Sequence, residues 1–320
     1  MLKLTKNEYY KIEDLIYARA RDLEIAILQH HMDDEDRVMA AHALTIYQNS
    51  DGGFGHGLEA DNLNPNSSSI QTQYALSVLK ELGYNSSNLD EVAGYIVNKS
   101  LNYVFQKVMD EEGYICATIE SNNECPCASW WKHSDKAKDQ WGYNPTAYLY
   151  ALGLYFASPA SKYYKKIMKF LPTCLDYYLN KDNIEGHELR CFIELYDVML
   201  NKKIMPEILE KLGKKINGDI DKIINSDLEN WGKGYSGCVM PLDLLVYDHL
   251  VNTSERKELI EKHLDFIITS RGNALWDISW DWGNDYQEFE LQRIKWRGVL
   301  SVNNLVLLKK YNSVNGNMKM

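Results

Sequence analysis

The stretch Tyr47-Gln48-Asn49-Ser50-Asp51-Gly52-Gly53-Phe54-Gly55-His56 ends an apolar helical pattern in a glycine turn, places a ring after it and leads into Gly57-Leu58-Glu59-Ala60-Asp61. Paired glycines reach backbone angles that other residues resist, so a tight turn is expected at Asp51-Gly52-Gly53. Helical periodicity runs outward from this turn in both directions. Toward the N-terminus, Glu8 to His30 carries Ile12, Leu15, Ile16, Leu23, Ile25, Ala26 and Leu28 at helical spacing, and Glu35 to Gln48 carries Val38, Ala41, Leu44 and Ile46. Two helices are expected to pair around the Met32 to Asp36 loop.

Toward the C-terminus the pattern predicts helices over Ser67 to Leu82, stopped by Gly83, and over Leu89 to Lys107. It continues over Ser161 to Leu179, Glu188 to Leu200, Pro206 to Ile216, Gly237 to Leu250, Ser254 to Ile268 and Arg297 to Tyr311. Another helix opens at Asn144-Pro145-Thr146, where Asn can cap the free amides and Pro fits the first turn. Its body, Ala147 to Phe156, is apolar or aromatic on every side, which predicts an inner helix buried all round. No segment shows the sustained alternation of a strand followed by a hairpin turn, so the fold class is all-α. Loops rich in glycine and aromatic residues precede many of the apolar helices, as at Gly113-Tyr114, Trp141-Gly142-Tyr143, Gly186-His187, Trp231 to Tyr235 and Trp276 to Trp282. Such recurrence marks stacked helical hairpins, and no linker divides residues 1–320 into two domains. Periodicity alone leaves a closed ring, an open solenoid and an irregular bundle as alternatives.

Gln48, Gly52 and Phe54 fit the spacing of the Gln-x-x-x-Gly-x-Trp element of squalene and terpenoid cyclases, with Phe in place of Trp, and Asp51-Gly52-Gly53-Phe54 is similar to the repeats of protein prenyltransferase β subunits. The chain resembles a single-domain bacterial type of prenyltransferase and squalene-cyclase repeat protein, also at Asn144-Pro145-Thr146-Ala147 and Trp296-Arg297-Gly298. The resemblance implies an α/α toroid of about six hairpins, with inner helices shielded by outer ones. The acidic Asp-x-Asp-Asp string of proton-initiated cyclases is absent, and no cysteine follows an Asp by two positions as in the zinc site of protein prenyltransferases.

Composition bounds the partners. With 45% hydrophobic and 25% charged residues, the 320-residue chain is globular and long enough for a sizeable core. A formal charge of -10 argues against a nucleic-acid partner, because phosphate binding needs concentrated basic surface. No run of about 18 apolar residues exists to cross a bilayer, and the start lacks the apolar centre of a signal peptide, so a cytoplasmic location is expected. Six cysteines are too few for a disulfide scaffold of this length. Cys125-Pro126-Cys127, with Cys116 and His133 nearby, is a minor candidate for zinc; otherwise no cofactor is expected.

In a closed ring, loops entering the inner helices gather at one end. The densest candidate there is His56 with Glu59 and Asp61, an imidazole and two carboxylates placed for general acid–base chemistry; turn and capping roles explain the same residues equally well. A second group is Trp276, Trp280 and Trp282 with Asp277 and Asp281 as an acid pair and Arg297 following, although rings that wedge helices and an arginine that pairs with a carboxylate are the blander explanation. Phe54, Trp131, Trp141, His187, Trp231 and Tyr235 extend the set of substrate-contact candidates. The resemblance favours an apolar small-molecule substrate of isoprenoid type, with aromatic faces stabilising developing positive charge. A carbohydrate-cleaving toroid with stacking rings and two acids is the alternative enzyme class, and a ring that binds without catalysis is the third.

Overall fold

Capping chemistry sets where the helices begin. The computed structural model describes residues 2–33, 36–224, 227–234, 239–271 and 275–314. Its helices are α1 (Lys6–Arg19), α2 (Asp22–Asp33), α3 (Val38–Leu44), α4 (Ser69–Glu81), α5 (Glu91–Asn102), α6 (Ala137–Trp141), α7 (Thr146–Phe156), α8 (Lys162–Leu179), α9 (Gly186–Lys202), α10 (Pro206–Ile223), α11 (Pro241–Leu244), α12 (Ser254–Ser270) and α13 (Phe289–Lys310). Among the described residues the only strand-like pairings are isolated bridges, so the fold is all-α. No described helix is long and apolar enough to cross a membrane. The chain divides into two compact units, one of Met1–Ile46 with Asn225–Met320, the other of Tyr47–Ile224.

In the Tyr47–Ile224 unit, α4, α5, α8 and α9 each start on a side chain that accepts free amides. Ser68 accepts from Gln71 N at 3.3 Å, Asp90 from Ala93 N at 2.9 Å and Ser161 from Tyr164 N at 3.1 Å. Glu185 caps α9 by accepting from His187 N and Glu188 N. Helix α7 is buried at every position except the half-buried Tyr155, as its all-round apolar sequence requires, and it packs on α4, α8 and α9. The start of α7 lies where the Asn-Pro-Thr signal puts it, but Asn144 does not cap it. Its Oδ1 instead accepts from Cys191 Sγ at 3.5 Å, and Thr146 Oγ1 exchanges bonds with Ile115 N and O at 3.0 Å. Helix α5 runs on into a π-helical turn over Tyr103–Val108, a local widening that often serves a function; here Tyr103 Oη donates to Ser67 O at 2.7 Å and Lys107 Nζ to Asp51 O at 2.8 Å, holding the glycine-rich turn.

In the other unit, α13 packs on α1 and α2, and α12 on α11. The Glu8 to His30 pattern is two helices, not one. Ala20 is extended, and Arg21 forks onto Glu24 at 2.8 and 2.7 Å to restart the chain. Apolar positions on either side of the break stay in phase, which is why periodicity does not see it. The pattern over Gly237 to Leu250 gives only α11 and a 3₁₀ turn over Asp248–Leu250, with Gly237 and Cys238 outside the described residues. The first turn of α11 is fixed by a ring: Leu242 N donates to His263 Nδ1 at 3.1 Å.

His263 is buried to 3% exposure against Trp231 and Phe266, and that desolvation lowers its pKa from 6.5 to about 4. The unfolded chain therefore takes up this proton first. Stability from the neutral ring is complete above pH 6.5 and is lost as pH falls toward 4, by about 3 kcal/mol for a group this buried. Urea unfolding at pH 7, 6 and 5 should show that loss. The His263→Gln variant, which keeps an acceptor for Leu242 N but cannot titrate, should show a flatter curve; an unchanged slope would remove His263 as the cause.

Candidate functional site

Gln48 shows what the turn element does. Its Nε2 donates to Gly52 O at 3.1 Å and Ile96 O at 3.4 Å, tying the turn to α5. Phe54 is fully buried, pairs by backbone with Gln48 and Ser68, and donates its N–H to Thr72 Oγ1 at 3.0 Å. A Cβ on Gly52, which sits at φ +98°, would run into the Lys99 carbonyl. The element is thus a clamp that sets the entry to α4, and Phe54 is its core anchor rather than a reachable substrate contact.

The structure places His56, Glu59 and Asp61 in three different settings. His56 is exposed, at φ 59°, with its ring bonded to Asn49 Oδ1 at 2.9 Å. Glu59 is half-buried with its N–H directed to Gln71 Oε1 at 3.4 Å, whereas Asp61 is only 2% exposed and its carbonyl accepts from Ala128 N at 2.8 Å. The segment docks onto the 122–128 stretch: Asn64 and Asn62 both donate to Asn122 Oδ1, at 2.9 and 3.3 Å, and Leu63 N bonds Pro126 O at 3.0 Å. Buried amides satisfied in this way make a stiff scaffold.

The cysteine pair belongs to the same scaffold. Cys127 Sγ is bonded to Asn122 O at 3.4 Å, and the Lys132 ammonium fills a nest of three carbonyls, those of Asn122, Asn123 and Cys125, at 3.1 to 3.3 Å. Among the described residues no group of three or more His, Cys, Asp or Glu side chains is placed to hold a metal, so Cys125 and Cys127 lack a zinc ligand set. Trp131 and Trp141 stack in parallel, centroids 4.9 Å apart, and each covers a face of the other. His187 is half-buried with Nδ1 on Glu185 Oε1 at 2.7 Å.

In the other unit, Trp231 at 3% and Trp276 at 5% exposure are wedges between helices, the latter with Nε1 on Ile267 O at 2.7 Å. Trp280 meets Trp296 edge-on at 5.3 Å and is half-buried. Asp277 and Asp281 sit in different settings. Asp277 accepts from Arg293 Nη2 at 2.8 Å and Arg297 Nη2 at 2.5 Å; burial pushes its carboxyl up, but the bonds from the two guanidinium groups outweigh this and hold it below the ordinary range. Exposed Asp281 accepts from Gly283 N at 2.8 Å within a turn. Tyr235 lies outside the described residues.

Chemistry gathers instead on the face shared by α4, α7 and α9. Glu194, 2% exposed in the middle of α9, accepts from Lys80 Nζ at 2.7 Å and Arg190 Nη2 at 2.9 Å. Two cations thus pair this buried carboxylate. Glu81, next along α4, is exposed, yet desolvation raises its pKa against the smaller opposing effects of Arg190 and Lys80, and the Glu194 charge raises it further. Tyr148 of α7 belongs to the same cluster: burial first, and the Glu194 charge second, push its phenol well above 10. Lys80 and Lys202 both approach the Tyr155 ring, at 5.6 and 5.8 Å. A carboxyl shifted upward within electrostatic reach of a carboxylate that two cations clasp is a pair whose environments differ, as proton transfer to and from a bond requires.

The sequence carried a signal for this cluster. Arg190, Glu194 and Asp197 share one side of α9 at i, i+4 and i+7 spacing, among Leu189, Cys191, Phe192, Ile193, Leu195 and Val198, and charged residues within an apolar helix need partners. What the sequence did not show is that Lys80 of α4 supplies one of them. Neither family models, nor curated proteins, nor solved structures match the chain.

Proposed function

We propose that the protein cleaves glycosidic bonds at the α4–α7–α9 face, with Glu81 as general acid. The observation that carries this reading is the raised Glu81 carboxyl within electrostatic reach of Glu194, a carboxylate clasped by Lys80 and Arg190. Glu81 gives its proton to the leaving oxygen as the carbon–oxygen bond breaks; water adds to the anomeric carbon and returns a proton to the Glu81 carboxylate. Tyr148, kept as a phenol, offers a hydrogen bond to a sugar hydroxyl. An isoprenoid would strip water from Lys80, Glu81 and Arg190 without replacing their hydrogen bonds, so the apolar substrate expected from the cyclase resemblance is the weaker reading.

The architecture that suits this reading is an α/α toroid of about six hairpins. An α7 buried at every position but Tyr155, in contact with α4, α9 and the amphipathic α8, supports it. A cytoplasmic setting accords with the described cysteines, all of which are free thiols.

The test is incubation of the full chain with defined neutral and acidic oligosaccharides, with new reducing ends as the readout. Cleavage of at least one glycan is expected. Absence of both cleavage and calorimetric binding across the set would defeat the proposal.

A further inference from the structure

We propose that the cavity between the C-terminal ends of α2 and α13 binds a small phosphate monoester, its phosphoryl group held by Lys309 and Lys310 and its carbon skeleton laid against Val306. The site lies within the unit of Met1–Ile46 and Asn225–Met320, and it does not depend on the glycosidase reading.

Its geometry starts on one face of one helix. Val306, Lys309 and Lys310 stand at i, i+3 and i+4 near the end of α13, which packs on α2, and with His31 they line a cavity of about 460 Å³. That is a volume typical of small-molecule sites. Both cations are held by neutral groups. Lys309 Nζ donates to His31 O and, at 3.5 Å, to Met32 O; Lys310 Nζ donates to Val246 O at 3.4 Å and lies 5.6 Å from the centre of the Tyr311 ring. Neither lysine forms an ion pair with a described acid, including Asp33 at the end of α2 and Asp248, whose charge acts on Tyr311. His31 adds a neutral ring, since burial, then His30 and Lys309, lower its pKa to about 4. Among the described residues neither of its ring nitrogens has a hydrogen-bond partner, so its N–H can serve a ligand oxygen.

A lysine on the last carbonyls of a helix is also ordinary capping, and Lys309 does this for α2. Magnitudes decide what is left over. Each helix end brings roughly half a negative charge, about one in all, against two full ammonium charges. About one positive charge therefore faces the cavity, in a chain whose formal charge is -10. The donors select the anion. The lining has no arginine among the described residues, so it lacks the planar fork that suits a carboxylate, and ammonium groups act as compact point charges. A phosphate monoester brings a charge of about -1.5 to -2 at pH 7 and three strong acceptor oxygens, one for each of Lys309, Lys310 and His31.

The experiment is isothermal titration of the full chain with glycerol phosphate and ribose phosphate, and with glycerol, ribose and inorganic phosphate as references. One ester should bind at least about tenfold more tightly than its neutral counterpart, and added salt should shrink that advantage. Lys310→Gln should weaken ester binding about tenfold, the worth of one charge-assisted hydrogen bond. Lys309→Met should do the same, but it also removes the bonds to α2, so its melting temperature is measured alongside. Val306→Trp fills the cavity and keeps both lysines; it should weaken the ester more than inorganic phosphate. Ester affinity unchanged in both lysine variants overturns the proposal. So does inorganic phosphate that binds as tightly as the better ester and ignores Val306→Trp, which would reduce the lysines to general anion attractors. No ester binding by the wild-type chain leaves them as helix-end cations only and overturns it too. Oligosaccharide cleavage is read separately, so failure here leaves the glycosidase reading standing.

Discussion

Replacing Glu81 by glutamine should lower turnover by about 10²- to 10⁴-fold, the span associated with loss of a positioned general acid. Gln has the shape of Glu and cannot donate the proton, so KM should change little and far-ultraviolet circular dichroism not at all. The pH dependence gives an independent reading. Desolvation raises the Glu81 carboxyl, so activity is present below that raised value and falls as pH rises through it, and the residual activity of Glu81→Gln should lack this limb. Stability moves with the opposite sense. Between the ordinary glutamate pKa and the raised one, the native state holds the proton more tightly than the unfolded chain, so wild-type stability declines as pH climbs across that window. Glutamine removes the decline. At a pH above the window the variant should be both less active and more stable, the trade-off expected where a strained group serves catalysis. A variant that is less stable but fully active would show Glu81 to be structural.

How much of this could be read from the chain depends on which forces act locally. The all-α class was legible, because apolar spacing records which side of each helix is covered. The inner character of α7 was legible for the same reason: Ala147 to Phe156 offers no polar side to water, and all but Tyr155 are buried. The break between α1 and α2 was not, since Ala20 has no composition of a breaker and the phase of Ile16 and Leu23 runs through it. Asn144 was read as a cap on local grounds and is a partner of Cys191, forty-seven residues away. The site followed the same division. Glu59 and Asp61 stand out in sequence because they are close together, yet proximity along the chain put one half-buried and the other in an amide scaffold. Glu81 and Glu194 lie far apart, and only packing of α4 and α9 on α7 brings their neighbours Lys80 and Arg190 onto one carboxylate. Asp277 was found as an acid and proves to be clasped by Arg293 and Arg297, which matches the arginine pairing weighed against catalysis.

Truncating Phe54 to alanine should cost about 3 to 5 kcal/mol, the range for a fully buried aromatic ring. Against a typical total of about 5 to 15 kcal/mol, that approaches the whole stability of a domain. The ring is not alone in the loss. Its backbone bridges Gln48 and Ser68, so the cavity lies beneath the cap of α4, and the same helix ends at Lys80 and Glu81. Phe54→Ala should therefore loosen the proposed site as well as lower the melting temperature, and cooling should recover activity only in step with refolding. Phe54→Trp separates space from chemistry. Where the cyclase element carries Trp this chain has a buried Phe flanked by Gly53 and Gly55, whose surroundings already abut Ser67, Tyr103 and Pro65. The larger indole should thus cost about 1 to 3 kcal/mol through overpacking. Urea unfolding of the three proteins decides it. If alanine cost under about 1 kcal/mol, the ring would not be the anchor that its burial implies, and if tryptophan were stabilising, the pocket would have kept the dimensions of the cyclase element.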